Sequence, residues 1–262
     1  MDKRLKQQLD FVLEIDKEKN ILRQTHLSGH GRRENDAEHA WHMAIMSYLL
    51  REYSNESVDI AKVMLMCLIH DIVEIDAGDT FAYDEEGRKT QKAREDAAKE
   101  RIFSILPEDQ KNELIALFDE FEDCETSESK YAHAMDNLQP LLLNHSNNGD
   151  DWKQHQITSK QVYGRQSKTK LGSERLYEIT DHLIQDAIKK GFVKEYKKSP
   201  HNNTSNQFKA TTMRTLASIC AFKKKTRHLC LVYSHIPSKP HIEIIFTVSS
   251  TNQTFLDKPS TD

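Results

Sequence analysis

A His-Asp doublet, His70-Asp71, closes a run of seven apolar residues, Val63-Met64-Leu65-Met66-Cys67-Leu68-Ile69. Such a run belongs inside a protein, so the two ionisable side chains that end it need partners there. Burying an unpaired charge costs several kcal/mol, of the order of a domain's whole stability margin. An ion pair or a metal removes that cost, and His39 upstream and Asp136 downstream offer the further groups a metal would need. Imidazoles and carboxylates together suit Mn²⁺, Fe²⁺, Co²⁺ or Zn²⁺, and a set without thiolates is unlike a closed structural zinc site. Neighbouring residues on a helix diverge by ~100°, so one ion meets both members of the doublet only from between them. Other helices must complete the shell.

Glu74 stands four residues past His70 and three past Asp71, on the same helix face one turn on. A carboxylate there could orient an attacking water and handle its proton, with a metal lowering the water's pKa toward ~7. The acidic segment that follows, Asp76 to Glu86, carries five carboxylates. These would repel a phosphate unless cations offset them, so a metal and a basic side chain are both expected nearby. Arg23 is the candidate, because a planar guanidinium can grip a phosphoryl group with two hydrogen bonds.

The elements that must position these groups read as helices. Residues 3–22 form a charged amphipathic one. Asn35 or Asp36 can cap the next, and with Asn35 at the cap Glu38 falls where a capping-box carboxylate belongs. Trp41, Ala44, Ile45 and Tyr48 then share a face at helical spacing. A buried helix runs from Asp59 to about Ile75 and is stopped by Ala77-Gly78. Residues 90–106 are amphipathic through Ala93, Ala97, Ile102 and Ile105. Pro107 suits the first turn of a helix whose apolar face carries Leu114, Leu117, Phe118 and Phe121. A helix across 130–145 carries Asp136, with Pro140 as a kink, and short helices near 154–164 and 173–190 complete the unit. No strand is expected before residue 192, so the core is all-α.

Composition divides the chain near Gly191. All eight glycines precede that point, and four of the six prolines follow it. The 192–262 segment holds 11 Lys+Arg against 4 Asp+Glu, whereas residues 1–191 hold 26 against 37. Residues 228–235 and 241–250 look like a β-hairpin, marginal on its own in water, and a solvated, partly disordered extension is the other reading of this basic segment. The net charge of −4 points to no nucleic acid, and no apolar run approaches the ~18 residues a membrane span needs. A charged N-terminus unlike a secretory signal and four scattered cysteines fit reduced thiols in a cytoplasmic protein.

Ala37-Glu38-His39, Ile69-His70-Asp71-Ile72-Val73-Glu74 with Gly78-Asp79, and Ala134-Met135-Asp136-Asn137 follow, in order, the H…HD…D pattern. In this the chain resembles the HD-domain metal-dependent phosphohydrolases, and within them the small hydrolases similar to 5′-deoxynucleotidases. The resemblance spans roughly residues 1–190. It implies a helical HD bundle with His39, His70, Asp71 and Asp136 as ligands of one divalent ion (Mn, Co, Mg or Zn). Glu74 and Asp71 become the catalytic pair, Arg23 the phosphate contact and Asp79 a substrate or outer-shell contact. The segment Gly29-His30-Gly31-Arg32-Arg33 departs from the deoxynucleotidase pattern, which keeps Arg32 and Arg33 open as alternatives to Arg23. The implied substrate is a small phosphomonoester, with a (deoxy)nucleoside 5′-monophosphate foremost, and a homodimer is left open.

Each residue also has a plainer reading. A His-Asp pair at the end of a buried helix can be a structural ion pair or a partner of the helix dipole, Glu74 an exposed carboxylate, Asp79 a turn cap and Arg23 a surface salt bridge. Two other functions would use the same scaffold. A di-iron oxygenase would need further ligands from His42, His133 or Asp79, and a non-catalytic nucleotide sensor would keep the site without turnover.

Overall fold

The computed structural model describes residues 2–196; the expected hairpin over 228–250 lies outside them. Helix α1 (Lys3–Ile15) is capped by the Asp2 carboxylate and buries Phe11 against Phe103, the ring centroids 6.1 Å apart. The expected helix over 3–22 does not continue. The chain tightens into a 3-10 turn at Asp16–Asn20, turns Glu18 inward, and becomes extended at Ile21. Strand β1 (Leu22–His26) then pairs antiparallel with β2 (Arg33–Asn35), Leu22 opposite Asn35 and His26 opposite Arg33. Five residues facing three require a bulge-like irregularity between those pairs. This ribbon corrects the expectation that no strand precedes residue 192; it is too short and too polar to leave an alternating signal.

The capping box at Asn35 forms as expected, Glu38 N–H donating to the Asn35 side chain at 2.9 Å, and starts α2 (Asp36–Leu49). Helix α3 (Ile60–Ile69) follows, capped by Asp59, and stops at the doublet, short of the expected Ile75. Residues 70–76 wind more tightly. Glu74 N–H donates to the Asp71 carbonyl at 2.8 Å and Ile75 N–H to that of Ile72 at 3.2 Å, before a single turn of helix, α4 (Glu74–Ala77). In i→i+3 winding, side chains three apart eclipse, which stacks Glu74 on Asp71. Gly78 ends the turn at φ 73°, ψ 146°, a conformation that L side chains rarely adopt, and so sets the direction of Asp79.

Helices α5 (Arg88–Phe103) and α6 (Glu108–Asp123) cover one side, Pro107 standing at the cap of α6. The buried face of α5 is Ala98, Ile102 and Phe103; Ala93 and Ala97 are exposed. Helix α7 (Ser127–Ser146) runs through the centre and contains Pro140, whose missing N–H leaves the Asp136 carbonyl without its helical donor. It packs with α2 and α3, and Met43, Val63, Met66, Cys67, Tyr131 and Met135 are all sealed from solvent there. Tyr131 keeps its hydroxyl satisfied by donating to the Ser47 carbonyl at 3.2 Å. Of the face expected on α2, Ala44 alone is buried. Trp41, Ile45 and Tyr48 are exposed.

Short elements close the unit: α8 (Asp150–Gln154), α9 (Ser159–Arg165), α10 (Thr169–Gly172) and α11 (Glu174–Lys189). Gly172 lets α10 lie on α7, since a Cβ there would stand 2.2 Å from the Lys130 carbonyl oxygen. The loop after β1 is fastened to the end of α7. Asn147 donates to the carbonyls of His26 and Leu27, at 3.2 and 2.9 Å, and accepts from His30 N–H at 3.0 Å. Asp151 accepts from His26 N–H at 3.0 Å. No helix among the described residues is long and apolar enough to cross a membrane.

Candidate metal centre

Three of the expected ligands meet where α2, α3 and α7 converge. His39, His70 and Asp136 offer ligand atoms that all lie within 4.8 Å of one another, and all three residues are buried. The imidazoles reach the centre with fixed tautomers. His39 Nδ1–H donates to Gln139 Oε1 and His70 Nδ1–H to the Cys67 carbonyl, both at 2.9 Å. That leaves each Nε2 with its lone pair turned inward, the arrangement metal-ligating histidines use. His39 Nε2 then faces Asp136 Oδ1 at 3.3 Å, one lone pair against another, which is stable only with a proton or a cation between them. His70 Nε2 is a buried nitrogen without a hydrogen-bond partner, 4.0 Å from Asp136 Oδ1. These atoms fit a cation.

Asp71 stands at the edge of this group. Its Oδ2 is 3.1 Å from His70 Nε2, off the line a hydrogen bond needs, and 4.0 Å from His39 Nε2. The same oxygen accepts from Arg23 Nη1 at 2.8 Å. Arg23, half-buried on β1, also reaches Asp36 Oδ1 at 3.3 Å and lies 3.9 Å from Glu34. Its guanidinium is therefore set among the protein's own carboxylates. Arg32 instead pairs with Glu38 on the surface.

Glu74, Asp36 and Asp79 form a second group whose carboxylate oxygens also lie within 4.8 Å of one another. Glu74 is buried, not an exposed helix carboxylate, and its Oε2 has no hydrogen-bond partner. His42 and His133 join neither group. His42 Nδ1 accepts from Gln139 at 3.1 Å, and His133 Nε2–H donates to the Phe121 carbonyl at 2.8 Å.

Crowded negative charge sets the electrostatics. Burial, then Asp71 and Asp36, pushes Glu74 well above the usual carboxylate range. Burial, then Asp71, lifts Asp36 to about 7, and burial raises Asp79. Burial works against the charge on Asp71 too, yet His70 and Arg23 hold its carboxyl well below that range. Burial likewise opposes Asp136, which Arg165 and the two imidazoles keep ionised. Burial brings His39 down to about 4, whereas His70 rises to about 9 because Asp71 and Asp136 outweigh its burial.

Sequence reasoning missed several groups that complete the site. Gln139 was legible in principle, being three residues past Asp136 on the same helix face. Glu34 accepts from Gln139 Nε2 at 2.6 Å and owes its burial to the unexpected ribbon. Arg165 donates from Nη2 to Asp136 Oδ2 at 2.6 Å. It comes from the end of the expected short helix near 154–164, where nothing local marks it for the site, and is held to α7 by the bond from Gln166 to the Asn137 carbonyl at 2.7 Å.

A helical unit of this kind, with a His-Asp doublet at its centre, defines the HD class of folds. Residues 15–177 match the family model described as HD domain. The chain belongs to the HD domain family, as its ordered motifs suggested. A crystal structure at 1.37 Å, of a predicted metal-dependent phosphohydrolase from Magnetospirillum magnetotacticum MS-1, is similar with a TM-score of 0.71 and 47% identity. The match covers 73% of this chain and 96% of that one. The human 5′-deoxynucleotidase HDDC2 is 27% identical over 111 residues, 42% of this chain and 53% of that protein. Its Bos taurus counterpart is 28% identical over 109 residues, 42% of this chain and 52% of that protein. The chain thus aligns with about half the length of these curated relatives.

Proposed function

We propose that this chain is a metal-dependent phosphohydrolase acting on a small phosphomonoester, foremost a (deoxy)nucleoside 5′-monophosphate, in a cytoplasmic setting. The observation that carries the reading is the inward pair of lone pairs, His39 Nε2 and His70 Nε2, around a carboxylate oxygen of Asp136. His39, His70, Asp71 and Asp136 would hold one divalent ion. When bound, such an ion supplies Lewis acidity toward a phosphoryl oxygen and acidifies water. The 47% identity to a predicted metal-dependent phosphohydrolase supports the reaction class, and the more distant deoxynucleotidases support the substrate.

The protein's own groups divide the remaining work. Glu74, whose Oε2 is buried and without a hydrogen-bond partner, accepts a proton from a water and aims that water's lone pair at phosphorus. Asp79, brought beside Glu74 and Asp36 by the turn at Gly78, contacts the sugar or the outer shell. Arg23 keeps Asp71 ionised and aimed, and lends its positive charge to the phosphate from behind that carboxylate. The HD-type domain ends near Gly191, ahead of the basic 192–262 segment.

The test is phosphate release from a panel of nucleoside monophosphates and simple phosphomonoesters, with Mn²⁺, Co²⁺, Mg²⁺ and Zn²⁺ in turn. Turnover of 5′-monophosphates with at least one of these ions is expected. Silence across the whole panel would refute the reading.

A further inference from the structure

We infer that Arg165 is the residue that grips the phosphate of the substrate, an inference that rests on the phosphohydrolase reading above. Asp136 has two faces. Its Oδ1 looks toward His39 and His70, and its Oδ2 accepts from Arg165 Nη2 at 2.6 Å. The guanidinium therefore stands one carboxylate's width from the centre, on its outer side.

Accessibility separates Arg165 from Arg23, the arginine that the motif pattern favours. The side chain of Arg165 is 35% exposed against 12% for Arg23. Arg23 is hydrogen-bonded to two carboxylates, Asp71 and Asp36, and its Nε is sealed from solvent. A phosphate could reach it only by displacing one of those carboxylates. Arg165 makes one hydrogen bond among the described residues, which leaves four of its five N–H donors for a ligand. A planar fork with a free edge suits two oxygens of one phosphate.

Charge points the same way. A phosphate dianion entering this site meets Asp71, Glu74, Asp36 and Asp79. Arg165 acts electrostatically on Asp79 and on Tyr83 as well as on Asp136. Its charge thus reaches both the centre and the acidic loop, where an incoming anion needs a counter-charge. Gln166, bonded to the Asn137 carbonyl, fixes the backbone from which Arg165 projects.

The experiment uses the full chain loaded with Mn²⁺ and inorganic phosphate as the probe. Phosphate binding is followed by calorimetry and Mn²⁺ affinity by paramagnetic resonance, for wild type, Arg165→Gln and Arg165→Lys. Losing a charge-assisted pair should weaken phosphate binding about ten- to a hundredfold in Arg165→Gln, with Mn²⁺ affinity within about threefold of wild type. Arg165→Lys, which keeps a point charge without the fork, should fall between the two, and it carries the test if the Gln variant does not fold. Phosphate affinity unchanged in a folded variant would overturn the assignment. So would a parallel loss of Mn²⁺, which would reduce Arg165 to a prop for Asp136. A wild type that neither binds phosphate nor releases it from any ester would instead remove the underlying reading, and the two failures are distinguishable.

Discussion

His39 and Gln139 hold each other in one orientation: the imidazole donates from Nδ1 to Gln139 Oε1 at 2.9 Å, and the Gln139 amide donates onward to Glu34 at 2.6 Å. The amide can serve both partners only in this sense, so Glu34 dictates which nitrogen of His39 carries the proton. Replacing Gln139 with Leu should free the ring to tautomerise and cost about ten- to a hundredfold in metal affinity. A competition titration with a chromogenic chelator measures it. Unchanged affinity would show that packing alone orients His39.

Arg23 is a cation, its side chain 12% exposed, enclosed by Asp71, Asp36 and Glu34. Arg23→Ala would strand those carboxylates, and breaking a buried pair from one side costs about 3–5 kcal/mol. Urea unfolding of the metal-stripped protein should show that loss, with Arg23→Lys losing less. An arginine serving only as a phosphate contact would leave the unfolding midpoint where it was.

Glu74→Gln keeps size and removes the proposed base. Metal should remain bound while kcat drops by about a hundredfold or more. Asp71→Ala should differ by losing metal and turnover together. Full activity in the Glu74 variant would strip that residue of its role.

Burial, with Asp71 nearby, raises Glu18 from an ordinary 4.5 to about 8. A folded value above the unfolded one favours the folded state at low pH. The stability it confers is whole below about 4.5 and is lost as pH climbs through 8. Glu18→Gln has no proton to lose, so its melting temperature should match wild type near pH 4 and exceed it at pH 9 in the chelated protein. A constant difference across that range would mean that the Glu18 carboxyl titrates normally.

Gly172→Ala should destabilise the unit, because the new methyl would meet the Lys130 carbonyl oxygen at 2.2 Å and the Tyr131 Cα at 2.8 Å. Both are backbone atoms of α7 and cannot rotate away, so α10 must shift at a cost of about 1–3 kcal/mol. Thermal melting checks this.

Helical periodicity made most of the fold legible, since capping and apolar spacing are local properties: the Asn35–Glu38 box and the Leu117–Phe118–Phe121 face form as expected. The His-Asp doublet was legible for a different reason, that charge at the end of a buried run demands a partner. What stayed hidden depends on distant chain segments meeting. The 22–26 and 33–35 ribbon is fixed by its attachment to Asn147 and Asp151, not by its own composition. Arg165 is brought to Asp136 by tertiary packing. The exposure of Trp41, Ile45 and Tyr48 shows the converse limit, because spacing reveals that side chains share a face but not what lies opposite it.

The grip of Asn147 and Asp151 on His26, Leu27 and His30 has a practical corollary for anyone trimming this polypeptide. A fragment stopped at residue 146 would retain all four expected metal donors, yet the stretch bearing Arg23 would lose its distal moorings. Asp136 would lose Arg165 outright. The proposed centre thus depends on a closed circuit running from residue 22 to residue 166, in which the Asn147 and Gln166 amides perform no chemistry themselves.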